Sequence, residues 1–157
     1  MLVVAVALAG RAAAQTFPAA GAFVPLTCGA GPMVDALNDT PGATGALDLV
    51  GTNPFPAGFH AADAQFLYLR MRVAGSPLVG NNMLQSDAWG FEFDLDGDRT
   101  TYELLISVSG TNNTSQVAIY RHPTTAMANN PADPALVPAA FSYPFATHGR
   151  AIAADST

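Results

Sequence analysis

Lysine is missing altogether from this 157-residue chain, cysteine and tryptophan occur once each, and only 11% of the residues carry charge. The first absence bears on partners. All six basic residues are arginine, against twelve acids, for a net charge of −6 and a pI near 4.6. Neutralising a phosphate backbone takes clustered Lys and Arg that displace counterions, so nucleic acid is not an expected partner. Anionic membrane surfaces are disfavoured for the same reason. Cys28 stands alone, which excludes a disulfide within the chain. It reads as a buried or unpaired thiol, with pairing to a cysteine of a longer chain as the alternative.

Long apolar runs and long helices are scarce as well. Fourteen Gly and twelve Pro interrupt the chain, and no long window free of them repeats apolar residues at i, i+3 and i+4, so extended helices are not expected. The longest apolar run is Leu2 to Ala9, too short to cross a bilayer. Followed by Ala12, Ala13 and Ala14 as an A-x-A-like cleavage site, it reads as a secretory signal with maturation near Gln15. The basic n-region is missing, since Arg11 comes after the run. The alternative is a buried N-terminal strand. On the preferred reading, residues 1–14 are a signal peptide, 15–45 a loop-rich segment and 46–157 a β-sandwich domain. The chain stops at Thr157 just after a strand-like segment, which suggests a C-terminally incomplete sandwich.

Half of the residues are hydrophobic, enough for one globular core. Alternation of period two marks the strands. In 66–73, Leu67, Leu69, Met71 and Val73 face one way and Phe66, Tyr68, Arg70 and Arg72 the other. In 89–95, Trp89, Phe91, Phe93 and Leu95 alternate with Gly90, Glu92 and Asp94. After the turn, Tyr102, Leu104, Ile106 and Val108 oppose Glu103, Leu105, Ser107 and Ser109. Residues 115–122 form a shorter candidate, and the stretches near Asp48 and Arg150 are weaker ones.

Five of the twelve acids, Glu92, Asp94, Asp96, Asp98 and Glu103, fall within residues 89–110. If strands 66–73 and 89–95 are neighbours, Arg70 and Arg72 meet Glu92 and Asp94 across the sheet and Glu103 joins from the next strand. That structural reading is preferred to a ligand-binding face. Asp94, Asp96 and Asp98 form D-x-D-x-D across the tip, where calcium completed by carbonyls and waters is one reading and a solvated turn the other. An EF-hand is excluded, because Arg99 takes the place of its glycine and Leu105 that of its last acid. Asp96-Gly97 signals a hairpin turn. Glu92 and Asp94 make a poor acid/base pair beside arginines that hold both ionised. His60, His122 and His148 are dispersed without metal-like spacing, and no G-x-S-x-G elbow occurs, so an enzyme is not expected. Asn38, Asn112 and Asn113 sit in glycosylation sequons.

The stretches "HAADAQFLYLRMRVAGSPL" and "SDAWGFEFDLDGDRTTYELLISVSG" together resemble the ligand-binding β-sandwich group that includes family 9 carbohydrate-binding modules and DOMON-like domains, as found near the N-terminus of large secreted bacterial surface proteins. Asp63, Arg70, Arg72, Trp89, Asp94, Asp96 and Glu103 match its signature. The resemblance implies a sugar clasped between aromatics, here Trp89 with Tyr68, Tyr102 or Tyr120; for haem-binding relatives, Met71, Met83 and His122 are the available ligands.

The expectation is therefore an all-β, antiparallel sandwich of jelly-roll type, because short alternating strands bury their apolar faces only against another sheet. It is expected to be a non-catalytic module of a secreted or cell-surface bacterial protein, acting in adhesion or assembly on glycans or other surface components. The alternative is a carbohydrate-binding module with its site near Trp89. Candidate ligand-binding residues are Arg70, Arg72, Trp89, Glu92 and Glu103; candidate calcium ligands are Asp94, Asp96 and Asp98.

Overall fold

A computed structural model describes residues 1–7, 16–39, 44–80, 83–98, 100–121 and 138–152. In chain order the strands are β1 (Leu2–Ala7), β2 (Val24–Pro25), β3 (Thr27–Cys28), β4 (Gly31–Pro32), β5 (Gly58–Ala62), β6 (Phe66–Met71), β7 (Leu78–Val79), β8 (Met83–Leu84), β9 (Ala88–Phe93), β10 (Leu104–Ser109), β11 (Gln116–Arg121), β12 (Phe141–Pro144) and β13 (Gly149–Ala151), with one helical turn, α1 (Phe145–His148), before the last strand. Among the described residues, no helix is long and apolar enough to cross a membrane.

Two antiparallel sheets carry the fold. One has five strands in the order β13-β1-β6-β5-β2; the other is a four-stranded meander, β12-β11-β10-β9. Leu2, Val4, Leu69 and Met71 from the first meet Trp89, Ile106, Val108, Val117 and Ile119 from the second in one buried core, closed by Val73 just beyond β6 and by Leu84, Ala46 and Phe145. This is the expected all-β sandwich, and the alternating residues of β6, β9 and β10 supply its inner faces. Two details differ. Leu95 is exposed, because β9 ends at Phe93 and the turn has begun. Tyr102 packs with Leu105 and Tyr120 outside the main core, because it precedes the regular pairing of β10.

The five-stranded sheet is covered on its second face too. There Val3, Ala5, Phe59, Ala61, Phe66 and Tyr68 form another buried cluster under Phe23, with Phe17 and Ile152 packed against it. Residues 16–25 lie over this face and contribute β2 to the sheet's edge, so much of the loop-rich N-terminal segment belongs to the sandwich. The run read as the apolar core of a signal supplies β1, paired along its length with β6 and, through Leu2, Val3 and Val4, with β13. Its side chains from Leu2 to Ala5 have no exposed surface. The two roles exclude one another in a single molecule, since a chain cut near Gln15 lacks the strand between β13 and β6. Ala12, Ala13, Ala14 and Gln15 lie outside the described residues. Cys28 is exposed, which removes the buried reading of that thiol.

Candidate functional site

The expected pairing of Arg70 and Arg72 with Glu92 and Asp94 is corrected by the topology. β6 lies in the five-stranded sheet and β9 in the four-stranded one, so the strands are not neighbours and no cross-strand register exists between them. β6 pairs instead with β1 and β5. That places Arg70 directly opposite Phe59, and the pairing dictates its environment. The Arg70 guanidinium lies 3.9 Å from the centroid of the Phe59 ring and 4.9 Å from that of Phe23. Its side chain is only 4% exposed. Arg72, one residue pair further along, stands 5.3 Å from the Phe55 ring. A guanidinium over an aromatic face gains about 0.5–2 kcal/mol and keeps its N–H edge in plane for an acceptor.

These residues line a groove of about 700 Å³ on the outer side of the five-stranded sheet, walled by residues 20–32 on one side and by Asn53, Pro54, Phe55 and Pro56 on the other. The Arg72 Nε is buried without a hydrogen-bond partner. The phenylalanines give the groove a flat apolar surface, and the half-buried Arg72 side chain brings a guanidinium to its lining. Phe23, Phe55 and Phe59 were not singled out by sequence reasoning. The signal that could have found them is the pair of aromatics around Pro56 in "PFPAGF", placed just before a strand bearing two arginines.

Trp89 does not belong to this face. It is buried between the sheets, and its Nε1–H donates to the Ala46 carbonyl at 2.7 Å. A sugar therefore has no access to its ring, which corrects the expectation of a site near Trp89. Of the substitutes, Tyr68 and Tyr102 are buried and Tyr120 is half-buried. Met71 is in the core and Met83 exposed on β8, while His122 lies outside the described residues.

At the hairpin the structure brings together Asp94, Asp96 and Glu103, whose carboxylate oxygens lie within 4.8 Å of one another. Backbone N–H groups hold each in place. Asp94 Oδ1 accepts from Asp96 and Gly97, Asp96 Oδ1 from Asp98, and Glu103 Oε2 from Leu95. Asp98, the third expected ligand, turns away: its Oδ1 accepts from the Thr100 hydroxyl and N–H. Those bonds, the hydroxyl's first, hold its carboxyl below the ordinary value. Glu103 takes its place because its N–H pairs with the Phe93 carbonyl, which sets its side chain beside the strand end. Glu92 is exposed on β9, away from Arg70 and Arg72 in the other sheet. Arg99 lies outside the described residues. Comparisons with protein-family models, with curated proteins and with solved structures return no match to this chain.

Proposed function

We propose that this chain is a non-catalytic binding module that acts in adhesion or assembly at or outside the cell surface, and that it holds an acidic glycan in the groove of Arg70 and Arg72. The single observation that carries the reading is the placement of two guanidinium groups against Phe23, Phe55 and Phe59 along one open groove. Its volume of about 700 Å³ falls in the range of small-ligand sites. Sugar rings present flat C–H faces that pack on phenylalanine, and a uronate carboxylate matches the guanidinium fork. A neutral sugar offers the first contact without the second. The extracytoplasmic setting follows the resemblance to surface-protein modules.

Calorimetric titration with oligogalacturonate and with a neutral oligosaccharide of equal length tests this. The acidic chain is expected to bind and the neutral one to bind at least tenfold more weakly, with Arg72→Ala weakening the acidic chain about tenfold or more, the scale of one charge-assisted bond. Equal binding of the two glycans, or binding indifferent to Arg72→Ala, would reject the groove as the ligand face. Preference for an acidic peptide over the glycan would keep the groove and replace the ligand class.

A further inference from the structure

Each main sheet of the sandwich has two outer strands, and three of the four are poorly suited to further pairing. β2 is two residues long and contains Pro25, β13 has three residues, and β12 ends in Pro144. Short strands and proline, which lacks an N–H, are the usual protection of a sheet edge. β9 has neither. It runs for six residues, Ala88–Phe93, without proline, and among the described residues only β10 pairs with it.

The ladder decides what that edge presents. The Asp87 carbonyl accepts the Gly110 N–H and the Phe93 carbonyl the Glu103 N–H, so Asp87, Phe93 and the alternate residues between them, Trp89 and Phe91, turn their backbone groups toward β10. Those of Ala88, Gly90 and Glu92 turn to the open side. The side chains alternate in the same rhythm. Trp89 is buried and Phe91 and Phe93 half-buried on the inner face, while Ala88, Gly90 and Glu92 are exposed on the outer one. The edge is therefore aromatic on its inner face and, at Ala88 and Gly90, nearly bare of side chains on its outer face.

We propose that a second copy of this chain pairs with β9, antiparallel about a two-fold axis at Gly90, and joins the two four-stranded sheets into one of eight. In this register β9 is its own complement: glycine faces glycine, each Ala88 faces Glu92 of the other copy, and each Trp89 faces Phe91 of the other copy. The two Glu92 side chains then stand four residues apart along the strands, about 14 Å at about 3.4 Å per residue, which exceeds the screening length of about 8 Å at physiological salt. An axis at Phe91 would halve that separation, and one at Glu92 would set the two acids face to face. The same arrangement sends the two hairpins that carry Asp94, Asp96 and Glu103 to opposite ends of the joint sheet. Two-fold pairing uses the open edge of both copies and so stops at a dimer. The contact lies on the sheet that does not carry the arginine groove, and it rests on nothing proposed for that groove.

Sedimentation equilibrium of the full chain from about 1 μM to about 1 mM, the span of moderate and weak affinities, tests the proposal. A monomer–dimer equilibrium is expected. Ala88→Glu sets a carboxylate opposite Glu92 of the other copy twice per dimer and should weaken association about tenfold, on the scale of two cross-strand like-charge pairs. Ala88→Lys makes the same two pairs attractive and should strengthen association several-fold. Residue 88 is exposed, so both variants are expected to fold, and thermal melts of the dilute chain check this. A chain that stays monomeric throughout the range would overturn the proposal. So would a dimer whose dissociation constant is indifferent to both substitutions or moves the same way with both.

Discussion

The two sheets of the sandwich differ in what lies behind them. The four-stranded sheet packs one face on the core and along β9 turns Ala88, Gly90 and Glu92 to solvent between Trp89, Phe91 and Phe93. The five-stranded sheet has protein on both sides: in β1, Leu2 and Val4 enter the inter-sheet core while Val3 and Ala5 enter the outer cluster. Water is thus a neighbour of one sheet and scarcely of the other. A strand with water on one face alternates in sequence, and a strand covered on both faces becomes a continuous apolar run. The same cover explains why Arg70 sits among phenylalanines while Glu92 sits in solvent.

The comparison is broken most directly at β1. Val4→Asp points a charge into the inter-sheet core opposite Leu69 and Gly149 and should cost about 4 kcal/mol or more, because the site is fully buried and offers no partner. Val3→Asp points into the outer cluster directly opposite Arg70 and Arg150 and should cost less. Urea denaturation followed by circular dichroism measures this; equal losses at the two positions would mean that neither arginine meets the new carboxylate. A smaller effect is expected at Arg70. Arg70→Lys keeps the charge but replaces a planar group stacked between Phe59 and Phe23 with an ammonium, at a cost of about 1–2 kcal/mol. If lysine were neutral there, the guanidinium would be filling space and the stack would be incidental.

The smallest effect concerns the rim of the same face, at the entry to β6. Asp63 accepts hydrogen bonds from the Gln65 and Phe66 N–H groups and from the Tyr68 hydroxyl. The Gln65 N–H leads in holding its carboxyl below 3.8, followed by the Tyr68 hydroxyl and the Phe66 N–H. A carboxyl lowered on folding stabilises the fold at pH above its unfolded value and loses that contribution as pH falls through the folded one. Asp63→Asn should therefore lower the melting temperature at pH 7, and the gap to the parent chain should close as pH falls below about 3.8. A gap that persists unchanged at pH 2 would assign the effect to geometry instead of charge.

What could be read from the sequence follows the same division. β6, β9, β10 and β11 were legible because large apolar residues alternate along them. β1 was legible only as an apolar run, because a short run of that kind looks alike as a leader and as a strand covered on both faces. β5 passed unnoticed because Gly58, Ala61 and Ala62 carry little side-chain signal. At the hairpin, the closeness of Asp94 and Asp96 was legible from spacing, whereas Glu103 joins them in place of Asp98 through hairpin register. Arg70 and Arg72 were picked out as binding residues but assigned the wrong neighbours, since no residue between 72 and 88 announces that the chain changes sheets there. Asp48 marked only a weak strand candidate, because a single aspartate in "DLVG" says nothing of its burial.

The position of β1 has a consequence during synthesis. The strand is made before both of its partners, and its first residues wait for the far end of the domain: the Met1 ammonium donates to the Ile152 carbonyl, 151 residues away. Pairing over such separations slows folding. Until it is complete, a charge-free β-forming stretch, "LVVAVA", stays exposed with both edges bare, the composition and state most prone to intermolecular strand pairing. The nascent chain is therefore at greatest risk of aggregation from the very residues that occupy the centre of the folded sheet.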